Sequence, residues 1–263
     1  VSNIPDDNPW KSTDGGQTVQ RIDVDIPTFL GAVVRPVHGV TYVANFDAVY
    51  ATADGGASYH ALSLPPGFIS PIYAAPDGRT LFFWTFDLVT FEVTGSFRSP
   101  DGGTSFTSVS GLPNPAFLAF DPTDSSRIYA SDFDGLLYVS VDGGFNFSLL
   151  SASNDPRFLS GIRQIAVDSR GSVYLETSAG PFRTDDGGQS FRPLLNGFRA
   201  CAVNDLAFDA DGELLVGVLN THVILRQVHD GTFDAIGHTA VLNANGFRSA
   251  TAVAASPTDP NVI

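Results

Sequence analysis

Phe-Asp dipeptides recur at matching loops of three successive repeats, at Phe46-Asp47, Phe86-Asp87 and Phe133-Asp134, within "NFD", "TFD" and "DFD". Carboxylates beside aromatic rings are residue types that act on sugars. One carboxyl protonates a leaving oxygen, a second serves as base or nucleophile, and a phenyl ring stacks on the sugar face. Asp47, Asp87, Asp132 and Asp134 are therefore the candidate acid–base residues, with Phe46, Phe86 and Phe133 as candidate platforms. A repeat copies structural residues as faithfully as useful ones, so the same dipeptides also read as loop caps, with Phe packed between sheets and Asp turned onto its own backbone. Matching loops further along carry "ETS" from Glu176 and "NTH" from Asn220, which adds Glu176 and His222 to the candidate binding residues.

Other chemistries find less support. His38, His60, His222, His229 and His238 show no metal-ligand spacing, so no metal site is expected. No cofactor is expected either. Several carboxylates and carbonyls on one rim would suit calcium, but no loop has calcium-loop spacing. Cys201 lies in the apolar run Ala200–Val203 and reads as a buried small hydrophobe; a single cysteine also rules out an internal disulfide. No nucleophile elbow, phosphate loop or dinucleotide fingerprint occurs. The formal charge of -14, with Lys11 the single lysine, disfavours a nucleic-acid partner, which needs a clustered basic face. No apolar run approaches the roughly 20 residues of a membrane span.

The elements that must position these residues are announced by a turn. Asp-Gly-Gly occurs at Asp14, Asp54, Asp101, Asp142 and Asp186, with a degenerate sixth copy at Asp230 in "HDGTF", at spacings of 40, 47, 41, 44 and 44 residues. Periods of that length mean an array of supersecondary units. In each turn the aspartate can accept backbone N–H bonds, the glycines supply positive φ, and a Ser or Thr two residues earlier offers a hydroxyl. The aromatic beyond the turn, Tyr59, Phe106, Phe147 or Phe191, would open an outer strand. These aspartates are read as structural. Between turns, apolar residues alternate with polar ones, as in "SRIYASDFDGLLYVSVDGG". The unit around it parses into strands at 116–120, 128–131, 136–141 and 145–150, and four antiparallel strands at this period describe a β-propeller blade.

The pattern Ser/Thr-x-Asp-Gly-Gly-x-Ser-Phe resembles the Asp-box, or BNR repeat, of sialidases, sortilin-type receptors, xyloglucan-degrading glycosidases and a photosystem II assembly factor. The resemblance implies an all-β propeller for most of the chain. It leaves function open, because the family contains both hydrolases and non-enzymes. Val19 replaces the aromatic in the first copy. Sialidase relatives would be expected to carry an Arg-Ile-Pro segment, where this chain has Arg21-Ile22-Asp23.

The 33 residues after Asp230 and the 14 up to Asp14 together span 47, inside the range of the repeat. That predicts one domain over residues 1–263 with six four-stranded blades, closed by pairing of N- and C-terminal strands, or seven or more blades if the chain is a fragment. In such a blade the turns lie on one rim, and the Phe-Asp loops, joining second strand to third, lie on the other. One stretch departs from the repeat: "TLFFWTFDLVTFEVTGSF", with Trp84 among its aromatics, reads either as a well-packed strand pair with a long loop or as a projecting hairpin that would serve as an interaction patch. The start at Val1 and the lack of methionine fit a processed mature chain or a trimmed one. The resulting expectation is a secreted or surface-exposed module that binds a protein or glycan on the acidic rim, with a glycoside hydrolase as the alternative.

Overall fold

The computed structural model describes residues 10–11, 18, 20–21, 32–34, 40–45, 47–69, 72–150, 161–177, 179–194, 203–209, 211–218, 223–227 and 233–238. Among these there is strand and turn but no helix, and so no helix long and apolar enough to cross a membrane. The chain divides into two compact units, residues 1–110 and 111–263.

The first unit holds three antiparallel sheets. β1 (Trp10–Lys11) pairs with β2 (Gln20–Arg21). β3 (Ala32–Val34), β4 (Thr41–Ala44), β5 (Val49–Thr52) and β6 (His60–Ala61) follow one another across a four-stranded sheet. In the next sheet β9 (Leu81–Phe86) pairs with β10 (Val93–Ser99) and β10 with β11 (Thr107–Ser108). The position of a single first strand is shared there by β7 (Phe68–Ile69) and β8 (Tyr73–Ala74), both paired to β9. Tyr42, Val49, Leu81 and Phe83 meet in the core of this unit.

The second unit repeats one sheet three times. β12 (Pro115–Phe120), β13 (Ile128–Asp132), β14 (Leu137–Ser140) and β15 (Ser148–Leu149) lie in chain order. So do β16 (Ile162–Val167), β17 (Val173–Thr177), β18 (Gly180–Thr184) and β19 (Arg192–Pro193), then β20 (Val203–Phe208), β21 (Leu214–Val218), β22 (Val223–Gln227) and β23 (Phe233–His238). The strands expected from sequence at 116–120 and 128–131 each gain one residue. Second strands are buried on both faces, which is why they read as near-continuous apolar runs. Alternation turns Val173 and Leu175 toward Tyr129 and Leu137 of one neighbouring sheet, and Tyr174 toward Leu206, Leu214 and Val216 of the other. A leucine as fully buried as Leu175 contributes about 2–3 kcal/mol relative to exposure.

The four described Asp-Gly-Gly turns are near-copies, and each joins the third strand of its sheet to the fourth. In each, one aspartate oxygen accepts bonds from the hydroxyl two residues upstream and from a backbone N–H four residues ahead. The other oxygen takes a side chain: Ser58, Ser105, Asn146 or Ser190. The first glycines sit at φ 72–76° and the second at 90–96°. These bonds hold all four carboxyls below the ordinary range, Asp101 down to about 2. Asp14 and Asp230 lie outside the described residues. The outer strands β6, β11, β15 and β19 pair over two positions each, whereas β23, after the degenerate turn, pairs over five.

Candidate functional site

The loops joining second strand to third lie at the end of each sheet opposite the Asp-Gly-Gly turns. Asp47 is exposed there, in a turn closed by Asn45, whose Oδ1 accepts from the N–H groups of Asp47 (2.9 Å) and Ala48 (2.6 Å). Asp87 caps its own hairpin: its Oδ1 accepts from Val89 N (2.7 Å) and Thr90 N (2.9 Å), and these bonds lower its pKa. Asp132 is 2% exposed, with Oδ1 taken by Leu136 N (2.8 Å) and Oδ2 by the Tyr138 hydroxyl (2.9 Å). Burial, with the Asp132 bond, pushes the Tyr138 phenol up to about 12. Asp134 is exposed. Two of the four aspartates thus serve as caps and two face solvent.

The aromatic candidates also separate. Phe133 is 71% exposed at the tip of the β13–β14 loop, and Phe86 is half-buried against Phe68, ring centroids 6.3 Å apart. Trp84 lies 5% exposed within β9, stacked on Tyr73 at 5.4 Å. The exposed apolar residues of that long hairpin are at its tip instead: Leu88, Val89 (87%) and Phe91 (75%), the last at φ 58°. Phe46 and His222 lie outside the described residues.

Glu176 is the candidate whose chemistry departs most from an ordinary side chain. It sits near the loop end of β17, 2% exposed, on the face that carries Tyr174 and is turned to the β20–β23 sheet. Burial raises its pKa to about 7, Asp205 of β20 adds to the rise, and Arg163 of β16 opposes it. A carboxyl of that kind keeps a proton near neutrality and can give it up, as a general acid must.

The register explains how these groups meet. Each first strand of the second unit has an irregularity at its start, between Pro115 and Phe117, Ile162 and Gln164, and Val203 and Asp205. Phe117, Gln164 and Asp205 consequently stand opposite Ser131, Glu176 and Gly217. Gln164 spans to the next sheet, Oε1 accepting from Leu206 N (2.6 Å) and Nε2 donating to Leu206 O (3.2 Å). Asp205 Oδ1 also accepts from Leu206 N, at 2.9 Å. Sequence reasoning does not single out Asp205, and it takes in Arg163 as one of three arginines, with Arg35 and Arg199, near inner strands or blade entries that could converge but read more readily as solvated or paired. The signal for Asp205 is its place in the repeat, where equivalent positions hold unlike residues. Among the described residues no group of three or more His, Cys, Asp or Glu side chains is arranged to hold a metal ion.

No protein-family model matches the chain. It is 33% identical over 172 residues to a xyloglucanase of Hypocrea jecorina (strain QM6a), a match covering 62% of this chain and 19% of that protein. A xyloglucanase of Paenibacillus sp is 26% identical over 161 residues, 58% and 15% of the respective chains. The chain therefore spans less than a fifth of the length of these curated relatives. Among solved structures, YCF48 bound to D1 peptide superposes with a TM-score of 0.68 at 16% identity, over 91% of this chain and 77% of that one. An ancestral GH74 enzyme superposes with a TM-score of 0.62 at 16% identity, over 79% and 31%. These structural neighbours are β-propeller proteins, and the likeness extends to the fold.

Proposed function

We propose that the chain is a single Asp-box propeller over residues 1–263 that takes a glycan of the xyloglucan class at the loop end of its sheets, as a glycoside hydrolase domain. Six blades account for the repeat, or seven or more if the chain runs on. Glu176 carries the reading: it is a buried carboxyl with a pKa raised to about 7, among the charges of Arg163 and Asp205. The 33% identity to a xyloglucanase supports this substrate class. Phe133, exposed in the β13–β14 loop of the same unit, is the sugar platform. Export follows from a polymeric substrate outside the cell.

A second reading, recognition of a glycan or protein without turnover, is favoured by one observation. Asp47, Asp87, Asp132 and Asp134 are all either solvated or committed to capping, as a binding scaffold requires. Calorimetry with xyloglucan oligosaccharides, run beside a reducing-end assay on the same protein, separates the two. Binding with turnover supports the hydrolase, binding alone supports recognition, and silence in both refutes the glycan.

A further inference from the structure

Six residues separate β9 from β10, where two or four separate second strand from third in the other sheets. These six, Asp87 to Glu92, close on themselves. Asp87 N donates to Glu92 O (3.0 Å) and Phe91 N to Asp87 O (2.8 Å), while the Asp87 carboxylate takes the N–H groups of Val89 and Thr90. The hairpin beneath carries a brace. Phe68 and Ile69 of β7 pair with Phe86 and Thr85, and the hydroxyls of Thr85 and Thr94 meet at 2.8 Å across the strands. Gly67, at φ 136°, backs so closely on the hairpin that a Cβ there would fall 2.7 Å from the Thr85 Cβ. On this fixed support stand Leu88, Val89 and Phe91, three of the exposed large apolar side chains of the chain. Phe91 holds φ 58°, a conformation that asparagine or glycine adopts more readily than an aromatic residue. Its ring is turned to solvent, so packing within the fold does not account for it. A rigid loop that presents apolar groups in one geometry has met the ordering cost of binding before a partner arrives.

Charge selects the occupant. No Lys, Arg or His occurs between Arg79 and Arg98, and Asp87 and Glu92 bracket the apolar residues. Both carboxylates are exposed, and among the described residues neither is in an ion pair. A second copy of the chain would bring the same two charges, and three side chains fall far short of the roughly 800 Å² per partner of a stable interface. An anionic lipid surface would repel the pair as the tip drew them into the headgroups. Leu88 and Val89 offer a sugar no hydrogen-bonding group. An apolar socket with a cationic rim is complementary to the tip in both respects. We propose that residues 87–92 are a docking tip, with Val89 and Phe91 anchored in an apolar socket of another protein whose rim carries Lys or Arg to pair with Asp87 and Glu92. The tip belongs to the first unit and does not depend on the glycan reading above.

The test pans the full chain, without subtraction, against a display library of ankyrin-repeat domains with a randomised concave face, a shape that can receive a projecting loop. Most independent binders are expected to need the tip, losing at least about 10-fold in affinity to Val89→Ser or Phe91→Ser and nothing to Asp134→Asn. Their randomised positions should be enriched in Lys and Arg over the starting library, and their affinity should fall about 3-fold or more between about 50 mM and about 500 mM NaCl. Binders that hold both serine variants as tightly as the wild type, or tip binders with no excess of basic residues, overturn the assignment. Phe91→Asn separates binding from folding, because asparagine suits the backbone at that position. It should abolish binding with the urea midpoint unchanged or raised, and a lowered midpoint makes the ring part of the fold and overturns its role as an anchor. Two further results overturn the protein partner in favour of another occupant: sedimentation with phosphatidylcholine vesicles, or a dimer in analytical ultracentrifugation, that the wild type shows and Val89→Ser/Phe91→Ser lacks.

Discussion

Three glycines of the second unit, all at positive φ, form a graded test of packing. Gly180, Gly188 and Gly111 have φ of 106°, 92° and 73°, so an alanine at any of them bears a similar left-handed penalty of about 1–2 kcal/mol. They differ in what a new methyl group meets. At Gly180 there is nothing within 4 Å, and at Gly188 the Leu150 Cδ1 lies at 2.7 Å. At Gly111 the methyl overlaps the backbone carbonyl oxygen of Phe147. A leucine end can swing aside, at an overpacking cost of about 1–3 kcal/mol, whereas a backbone carbonyl has to carry its strand with it. Expected losses are therefore about 1 kcal/mol for Gly180→Ala, after the entropic gain of replacing glycine, about 2–4 for Gly188→Ala, and more for Gly111→Ala. Urea unfolding reads these as shifts in midpoint at constant m-value. Adding Leu150→Ala to Gly188→Ala should recover part of the steric cost in a double-mutant cycle, but add nothing back to Gly180→Ala. Equal losses at all three sites, or Gly180→Ala as the worst, would refute the premise that inter-strand contact rather than φ sets the cost.

Replacing Gln164 by Leu removes the side chain that bonds both backbone groups of Leu206, and should cost about 1–3 kcal/mol by chemical denaturation, with Gln164→Glu losing less because it keeps the acceptor. Stability should fall as pH rises from about 4.5 to about 7. Glu176 holds its proton more tightly folded than unfolded in that window, and a melting series on Glu176→Gln should lack this limb. On the acid side the sign reverses. Asp54, Asp101, Asp142 and Asp186 are held below 3.8, so the stability they contribute is present above that pH and lost as pH falls toward their folded values. Tyr138→Phe should cost about 1.5–3 kcal/mol by orphaning a buried Asp132 oxygen, whereas Asp134→Asn at an exposed site should stay within about 0.5 kcal/mol in the same unfolding assay.

The sheets were legible because each Asp-Gly-Gly turn is local. Its bonds connect residues two to four apart, so spacing alone marks where the third strand ends and the fourth begins. The site was less legible, since its chemistry depends on groups far apart in sequence. Asp132 and Asp134 look alike in "DFD", but only the register of β13 and β14 sets Tyr138 against one of them. Of the two readings of the Trp84 stretch, the packed strand pair with a long loop holds, because β9 is buried on both faces and the exposed apolar residues fall in the loop beyond it. The raised pKa of Glu176 comes first from burial against the next sheet, with Asp205 of that sheet adding to it. Aligning the three second strands by register would have flagged it, because Ser131, Glu176 and Gly217 share no common structural task.

Four outer strands are attached over two residue pairs each, a ladder too short to persist alone, while β23 is attached over five. The first four therefore depend on a clasp and the fifth on a seam. A clasp opens as one event when its carboxylate takes a proton, and it releases one edge without disturbing its neighbour. A seam frays pair by pair. Amide exchange in mild acid should accordingly speed up in β6, β11, β15 and β19 while β23 keeps its protection, so that each sheet loosens at its own outer edge while its inner strands stay closed.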